Sequence, residues 1–459
     1  MFLYNLTLQP ASAITATVLG HFSGGKQQEL VVARGQQRLE VWRADTATGK
    51  LCIAHSEDVF CRIRGLAAFR MAGGTRDHVV LASDAGALAV LEFTGTRFAA
   101  VLRHDFGRSG LRRLVAGQYV AADPRGRAVM VAAVERSKIV YVVTRDAQAR
   151  LQLASPLEAP GRAGAVCFDA VGVDVGYDSP VFAALEGEAN QKLLAYYELD
   201  LGLNHVVRTW SARVDASAHR LIALPGGGDG PSGVLVCLAG RIEFRHWTAA
   251  GGEAAVHGVR IPQLASSTAA AQAPTMVVAS AVHRMKGAFF ILAQTEAGDL
   301  FKITVDYGAA DDGCAVRRVG IRYFDTLAAP AASISILRAG FLFAAAGGEA
   351  GTSHQLLQFE DLGNDDDNDL DSLYFERHAE LRSLALVDEI DGASPMLASQ
   401  VLHVAHGEDA PQIYAACGAG ARSSLKIMRH GAEVAELAVS ELPAAPGAVW
   451  VIGGDPDLI

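Results

Sequence analysis

VVLAS (Val79–Ser83) is a short apolar run that ends in a turn at residues 84–86. Similar runs recur along the chain, and their first residues are Val31, Val79, Val129, Val181, Val234, Phe289, Phe341 and Ile413. The steps between successive runs are 48, 50, 52, 53, 55, 52 and 72 residues. Short strands that recur about every 50 residues, without helical spacing between them, are typical of a propeller made of four-stranded blades. The pattern therefore predicts an all-β, WD40-like β-propeller.

A second kind of strand follows the apolar run in the clearest copies. FKITV (residues 301–305) and LEV (residues 39–41) alternate apolar and polar residues. A continuous apolar run predicts a strand that is covered on both faces, and alternation predicts a strand with one face in water. We therefore expect buried inner strands beside half-exposed outer ones.

The spacing also predicts the number of blades and the domain limits. Seven runs, from Val31 to Phe341, are 48 to 55 residues apart, which predicts a seven-bladed ring. The eighth run, at Ile413, follows a longer interval that contains an acidic stretch at residues 360–376. We expect a first β-propeller at residues 1–383, a closing or transition unit at 384–448, and the truncated start of a second propeller at 449–459.

The composition indicates a soluble protein with a packed core. Half of the residues are apolar and 20% are charged, and the mean hydropathy is +0.21. The net charge of −10 argues against a surface that is devoted as a whole to nucleic-acid binding. A chain with this net negative charge can carry a basic patch on only part of its surface.

The cysteines and the N-terminus favour an intracellular protein. The six cysteines are scattered without a CxxC pair, and Cys167, Cys237 and Cys417 lie in or beside apolar strands, which predicts reduced core thiols. The N-terminus lacks a basic region followed by a cleavable apolar stretch. The most apolar window, residues 327–348, is interrupted by Pro330 and Arg338. We therefore expect neither a signal peptide nor a contact with membrane.

Three short motifs have the outline of ligand sites, and none predicts one. GDGPSG (residues 228–233) matches GxGxxG, but a strand follows it and Pro231 lies within it, so we expect a turn between strands. The acidic stretch resembles a calcium loop but has Leu370 where the sharp turn requires glycine, and ion binding there stays open. The pair His403 and His406 is predicted to lie in a polar loop. We predict no catalytic, cofactor or metal site.

One charged segment is a candidate docking site. Eight basic residues fall within 36 positions of an otherwise acidic chain, and they are Arg103, Arg108, Arg112, Arg113, Arg125, Arg127, Arg136 and Lys138. They form either an ordinary solvated surface or a docking face for an acidic protein segment or a phosphate backbone.

Longer runs of this sequence resemble a known family. Examples are MFLYNLTLQ (1–9), FGRSGLRR (106–113), GQYVAADPRGRAVM (117–130), VGVDVGYDSPVFAALE (171–186), FFILAQTEAGDLFKIT (289–304) and RSSLKIMRHGAEVAELAVSELP (422–443). These runs extend from Met1 to about Pro443, and they resemble the N-terminal part of the splicing factor 3b subunit 3 family. The wider superfamily includes the large damaged-DNA-binding subunit and the large cleavage and polyadenylation factor subunit.

The resemblance implies a nuclear, non-catalytic scaffold in the U2 small nuclear ribonucleoprotein, with a role in branch-site recognition and spliceosome assembly. Implied partners are the HEAT-repeat subunit and the small subunits of splicing factor 3b, with mostly indirect RNA contact and no cofactor or small-molecule substrate. Family members resemble three seven-bladed propellers and a small helical domain, so the chain is expected to be a fragment, an incomplete gene model or one piece of a split protein. The alternatives are an adaptor of a cullin-type ubiquitin ligase or damaged-DNA-binding complex and, less favoured, a propeller hydrolase.

Overall fold

Consecutive strands pair in chain order and build a series of small antiparallel sheets. The computed structural model describes residues 13–35, 37–45, 50–105, 118–133, 138–148, 150–161, 165–188, 191–248, 252–265, 274–285, 287–310, 313–346, 352–362, 372–391, 396–403, 411–417 and 424–429. These residues contain strands and turns and no helix, so none of them forms a helix that could cross a membrane. The all-β prediction is confirmed for this part of the chain.

The first four sheets follow one another from residue 14 to residue 214. Sheet 1 contains β1 (Ile14–Gly20), β2 (Glu29–Arg34), β3 (Arg38–Ala44) and β4 (Leu51–Asp58). Sheet 2 contains β5 (Ile63–Phe69), β6 (His78–Ser83), β7 (Ala87–Phe93) and β8 (Phe98–Asp105). Sheet 3 contains β9 (Gln118–Ala122), β10 (Ala128–Ala133), β11 (Lys138–Arg145), β12 (Leu151–Leu153) and β13 (Leu157–Ala159). Sheet 4 contains β14 (Val166–Val173), β15 (Val181–Glu188), β16 (Gln191–Asp200) and β17 (His205–Val214).

The remaining sheets continue the series. Sheet 5 contains β18 (Arg220–Ala223), β19 (Val234–Leu238), β20 (Arg241–Arg245) and β23 (His257–Arg260), with a small hairpin of β21 (Trp247–Thr248) and β22 (Gly252–Glu253) inserted. A short parallel pair joins β24 (Gln263–Leu264) to β32 (Tyr374–Phe375). Sheet 6 contains β25 (Val277–Met285), β26 (Ala288–Thr295), β27 (Asp299–Ala310) and β28 (Gly313–Thr326). Sheet 7 contains β29 (Ala331–Leu337), β30 (Phe341–Ala346), β31 (Thr352–Phe359) and β33 (Leu384–Asp391), and sheet 8 contains β34 (Met396–Leu402), β35 (Gln412–Cys417) and β36 (Ser424–Met428).

The eight apolar runs of the sequence are the second strands of the eight sheets. They correspond to β2, β6, β10, β15, β19, β26, β30 and β35. A second strand is hydrogen-bonded on both edges, as β2 is to β1 and β3. In sheets 1 to 7 its side chains on both faces are covered, whereas β35 of sheet 8 exposes Ile413. A strand in this position needs apolar residues at every position, which is why the runs are continuous rather than alternating.

The third strands are more buried than their alternation predicts. Lys302 of β27 and Glu40 of β3 are both buried. Lys302 donates a hydrogen bond to the Leu362 carbonyl at 3.1 Å, and Glu40 accepts one from Trp42 Nε1 at 2.9 Å. The prediction of a half-exposed strand next to the apolar run is therefore wrong, because the third strand is also packed between sheets. Exposed residues recur along the fourth strands instead, as in β4 and β8.

Apolar seams join each of sheets 1 to 6 to the next one, and a seventh seam joins sheet 7 to sheet 1. Each seam is one cluster of buried side chains contributed by two sheets. In the seam between sheets 7 and 1, the Trp42 and Phe343 rings meet edge to face with centroids 5.8 Å apart. Beside it, Thr17 Oγ1 of β1 lies 2.7 Å from Ser333 Oγ of β29. The seven sheets thus form a closed series.

The last part of the described chain differs from this series. Strand β33, which follows the predicted boundary at residue 383, pairs with β31 inside sheet 7. Sheet 8 has only three strands, and every residue of β34 is exposed. Leu397, Val401, Leu425 and Ile427 all expose apolar side chains there. The predicted division into domains stays a prediction.

Three of the cysteines lie where the sequence predicts them. Cys167, Cys237 and Cys417 are buried and free. Burial raises the pKa of Cys167 and of Cys237 to about 12, so both thiols are protonated and unreactive at neutral pH. These three side chains serve as small apolar residues of the core, which confirms the prediction.

One turn brings sheets 2 and 3 into backbone contact. Gly126, in the turn between β9 and β10, has a φ of +74° and accepts a hydrogen bond from the Ala72 N–H at 3.3 Å. A Cβ atom at this position would lie 1.7 Å from the Arg70 carbonyl oxygen. Only glycine permits both this φ and this approach.

We expect Gly126→Ala to lower the free energy of unfolding by more than about 3 kcal/mol, because the new Cβ must displace the Arg70 backbone and adopt a positive φ. Gly73→Ala is the matched control, since Gly73 has a φ of +71° and open space around its Cβ position. The control should cost only about 1–2 kcal/mol. Chemical denaturation of the full chain measures both, and equal losses would contradict a role for the close approach.

Candidate partner-docking face

The structure places the described members of the predicted basic patch in three different environments. Arg108, Arg112, Arg113 and Arg136 lie outside the described residues. Arg103 lies on β8, where its side chain is 66% exposed and its Nε is 3.4 Å from Asp105 Oδ1. An exposed pair of this kind contributes little to stability and leaves the guanidinium accessible to a partner.

Lys138 lies inside the protein rather than on a docking surface. It begins β11 of sheet 3, and its Nζ is 2.8 Å from Glu186 Oε1 of sheet 4, with side chains that are 4% and 3% exposed. Glu186 also accepts a hydrogen bond from the Tyr197 hydroxyl at 2.7 Å. Burial, together with the Glu186 charge, raises the pKa of Tyr197 well above its usual value, so this hydroxyl acts only as a neutral donor. The group therefore ties sheet 3 to sheet 4.

Arg125 and Arg127 lie in the turn between β9 and β10 and connect three sheets. Arg125 NH2 is 3.0 Å from Asp174 Oδ1, at the end of β14, and donates a hydrogen bond to the Gly226 carbonyl at 3.1 Å, beyond β18. Arg127 pairs with Asp123 in its own turn at 2.8 Å and donates to the Gly176 carbonyl at 3.3 Å. The two guanidinium groups therefore fix turns of sheets 4 and 5 against sheet 3.

Three of the four described basic residues thus have structural partners. Their acidic partners Asp123, Asp174 and Glu186 were not identified from the sequence. The only local signal is the spacing of Asp123 and Arg127 within one tight turn, because the other two pairs join residues of different sheets. Docking by the patch stays a prediction, and among the described residues Arg103 is its exposed member.

The three short motifs have different outcomes. GDGPSG lies in the turn between β18 and β19, which confirms the predicted turn. Most of the acidic stretch, at residues 363–371, lies outside the described residues, as does His406 of the histidine pair. Within the part of the chain that the structure describes, no three His, Cys, Asp or Glu side chains are grouped so that they could hold a metal ion.

Comparison with known proteins yields one family and several similar proteins. A family model described as the RSE1/DDB1/CPSF1 first beta-propeller matches residues 13–391. Splicing factor 3B subunit 3 from Drosophila melanogaster is 44% identical over 98% of the chain and 38% of its own length. Pre-mRNA-splicing factor RSE1 from Mycosarcoma maydis is 45% identical over 98% of the chain and 39% of its own length. Spliceosome-associated protein 130 A from Arabidopsis thaliana is 43% identical over 98% of the chain and 38% of its own length.

These matches confirm the resemblance that the sequence runs indicate, and the family model supports a propeller-type fold for the sheets. The chain spans about two fifths of the length of the curated relatives that it matches.

We expect Lys138→Met to lower the free energy of unfolding by about 3 kcal/mol, because it leaves the buried Glu186 carboxylate with only the Arg208 guanidinium, 3.9 Å away, as a cation. Adding Glu186→Gln should recover part of this loss, since it removes the charge that has lost its close partner. Arg103→Ala is the control and should change stability by less than about 0.5 kcal/mol. Chemical denaturation of the full chain distinguishes the cases, and a similar small effect of Lys138→Met and Arg103→Ala would place Lys138 on the surface.

Proposed function

The chain belongs to the RSE1/DDB1/CPSF1 first beta-propeller family, and from this premise we propose that it acts in pre-mRNA splicing as part of the splicing factor 3b complex. The observation that carries the proposal is the identity of 43–45% across 98% of the chain with relatives named as splicing factors and as a spliceosome-associated protein. On this proposal the protein works in the nucleus, within the U2 small nuclear ribonucleoprotein, during branch-site recognition and spliceosome assembly.

We propose a non-catalytic scaffold that works by burying partner surfaces against its sheets and turns. Its partners would be the HEAT-repeat subunit and the small subunits of splicing factor 3b. RNA contact would be mostly indirect, which agrees with a net charge of −10 and with the use of Arg125, Arg127 and Lys138 in internal pairs. The Arg103 region is proposed as a docking site for an acidic protein segment.

We also propose that sheets 1 to 7 are the seven blades of a first propeller and that sheet 8 leads into a second one. The seam between sheets 7 and 1 supports a closed ring of seven. The pairing of β33 with β31 supports a first ring that extends to residue 391. The exposed apolar side chains of sheet 8 support a surface that further chain would cover.

Removing the protein from a nuclear extract with an antibody should abolish addition of the U2 particle to pre-mRNA, and adding back the natural protein should restore it. Native gels that resolve the U2-containing complexes measure this, and an extract treated with a non-binding antibody is the control. Purification of the natural protein should retrieve U2 RNA with the HEAT-repeat subunit. Recovery of a cullin in their place would support the ubiquitin-ligase alternative and contradict the splicing proposal.

The second-propeller proposal predicts that Leu425→Ser combined with Ile427→Ser acts differently in two proteins. In a chain extended by the downstream coding sequence, the pair should cost about 3–6 kcal/mol, because two buried apolar side chains are lost. In the 459-residue chain the pair should change stability little and should lower binding of a hydrophobic dye. Ile53→Ser, at an exposed position of β4, is the control and should have little effect in either protein. Equal effects of the double change on both proteins would contradict the proposal.

A further inference from the structure

A groove of about 390 Å³ lies between the last strands of sheets 5 and 6. Its walls are β23 with the residue before it, the middle of β28, and Leu373, which precedes β32. Strands β23 and β28 are the edge strands of their sheets, so the groove lies where two neighbouring edges meet. We call it the Arg317 groove.

A β-bulge directs two consecutive arginines to this groove. The register of β27 with β28 shifts between Asp306 and Tyr307, which leaves Arg317 without an opposite residue in β27. Consecutive side chains of a regular strand point to opposite faces, and a bulge changes this local direction. Arg317 and Arg318 therefore both line the groove.

The groove is basic although the chain has a net charge of −10. Arg260 of β23 faces the two arginines of β28 across it, and none of the described residues that line it is Asp or Glu. Arg260 and Arg317 are exposed, and neither forms an ion pair within the part of the chain that the structure describes. These two guanidinium groups can therefore bind carboxylates of a ligand without first losing an internal partner.

The groove also offers apolar surface. Val259 and Val319 form its floor and are buried at the seam between sheets 5 and 6. On its rim, Val256 is 45% exposed and Leu373 is 56% exposed. A ligand that carries an apolar side chain between charged ones can cover this rim.

The Arg317 side chain lies against the sheet rather than extending freely into water. A Cβ on Gly308 of β27 would lie 2.5 Å from an Arg317 guanidinium nitrogen, so the guanidinium lies over this glycine. The missing side chain of Gly308 leaves the space that the guanidinium occupies. A long side chain that is already held in this way loses less conformational freedom when it binds a partner.

We propose that the Arg317 groove docks an acidic segment of a partner protein. Two carboxylates of the segment pair with Arg260 and Arg317, and an apolar side chain between them covers the rim. Single-stranded RNA is usually bound through bases that stack on aromatic rings, and no Phe, Tyr or Trp is among the described residues of the lining, which favours protein over RNA. This inference goes beyond the proposed splicing role and does not depend on it.

The test uses the full 459-residue chain and the peptide acetyl-Asp-Glu-Leu-Glu-Asp-amide as the probe, with binding measured by ligand-observed NMR. The uncharged counterpart is acetyl-Asn-Gln-Leu-Gln-Asn-amide. We expect saturable binding of the acidic peptide in the range up to about 5 mM and at least about tenfold weaker binding of the counterpart. Replacing the leucine of the acidic peptide by serine should weaken binding by about three- to tenfold.

Arg260→Gln and Arg317→Gln should each weaken the acidic peptide by about three- to tenfold. Arg213→Gln is the matched control, since Arg213 is an exposed arginine on β17, the last strand of sheet 4, and lies outside the groove lining. It should change binding by less than about twofold. Thermal unfolding checks that each variant is folded, and the comparison of the peptides on the unaltered chain decides the question if a variant is not.

Several results would overturn the proposal. They are an acidic peptide that does not bind, an uncharged counterpart that binds equally well, or an equal effect of Arg213→Gln and Arg317→Gln. Tighter binding of an oligouridylate that is lost in the same two arginine variants would assign the groove to RNA. Binding of the peptide only after the five aspartates of residues 365–371 are replaced by asparagine would assign the groove to the chain's own acidic stretch.

Discussion

The inner strands of sheets 1 to 7 have largely covered side chains on both faces, so each of these seven sheets is stable only between two others. Seven apolar seams meet this requirement, and the seam between sheets 7 and 1 leaves none of the seven without a neighbour. The contact of Trp42 with Phe343 is therefore more important than the small surface area that it buries suggests, because it joins strands about 300 residues apart in the chain. The positions of the turns, and of every polar group on them, depend on this closure.

Charged residues inside the seams act as specific links within an otherwise apolar packing. Hydrophobic contact alone would tolerate small shifts of one sheet along the next, whereas the buried pair of Lys138 and Glu186 fixes one relative position. Arg125 does the same for three sheets at once through Asp174 and Gly226. These cations are neutralised internally, so they are not available to a phosphate backbone.

The strand pattern was predictable because it follows from local chemistry. A continuous apolar run such as Val31 to Ala33 is costly anywhere except in a doubly covered strand, and seven of the eight runs are second strands that are covered in this way. The exposure of the third strands was not predictable in the same way. Lys302 has the appearance of a water-facing residue in its strand, but its ammonium group reaches the Leu362 carbonyl 60 residues away. An alternating pattern of apolar and polar residues shows which side chains are polar, but it does not show where their hydrogen-bond partners lie.

The sequence by itself determined the all-β repeat, the buried second strands, the core cysteines and the family, since each depends on residue types within a short window or on matching runs. The tertiary structure alone decided which charges meet. Arg125 pairs with Asp174 49 residues ahead and with the Gly226 carbonyl 101 residues ahead, and no spacing rule connects these positions. The closeness of its residues in the chain predicts that the basic patch is one surface, yet three of its described members hold sheets together. The physical reason is that hydrophobic burial is a property of each strand, whereas an ion pair or a cavity exists only after closure has brought distant turns within a few ångströms of one another.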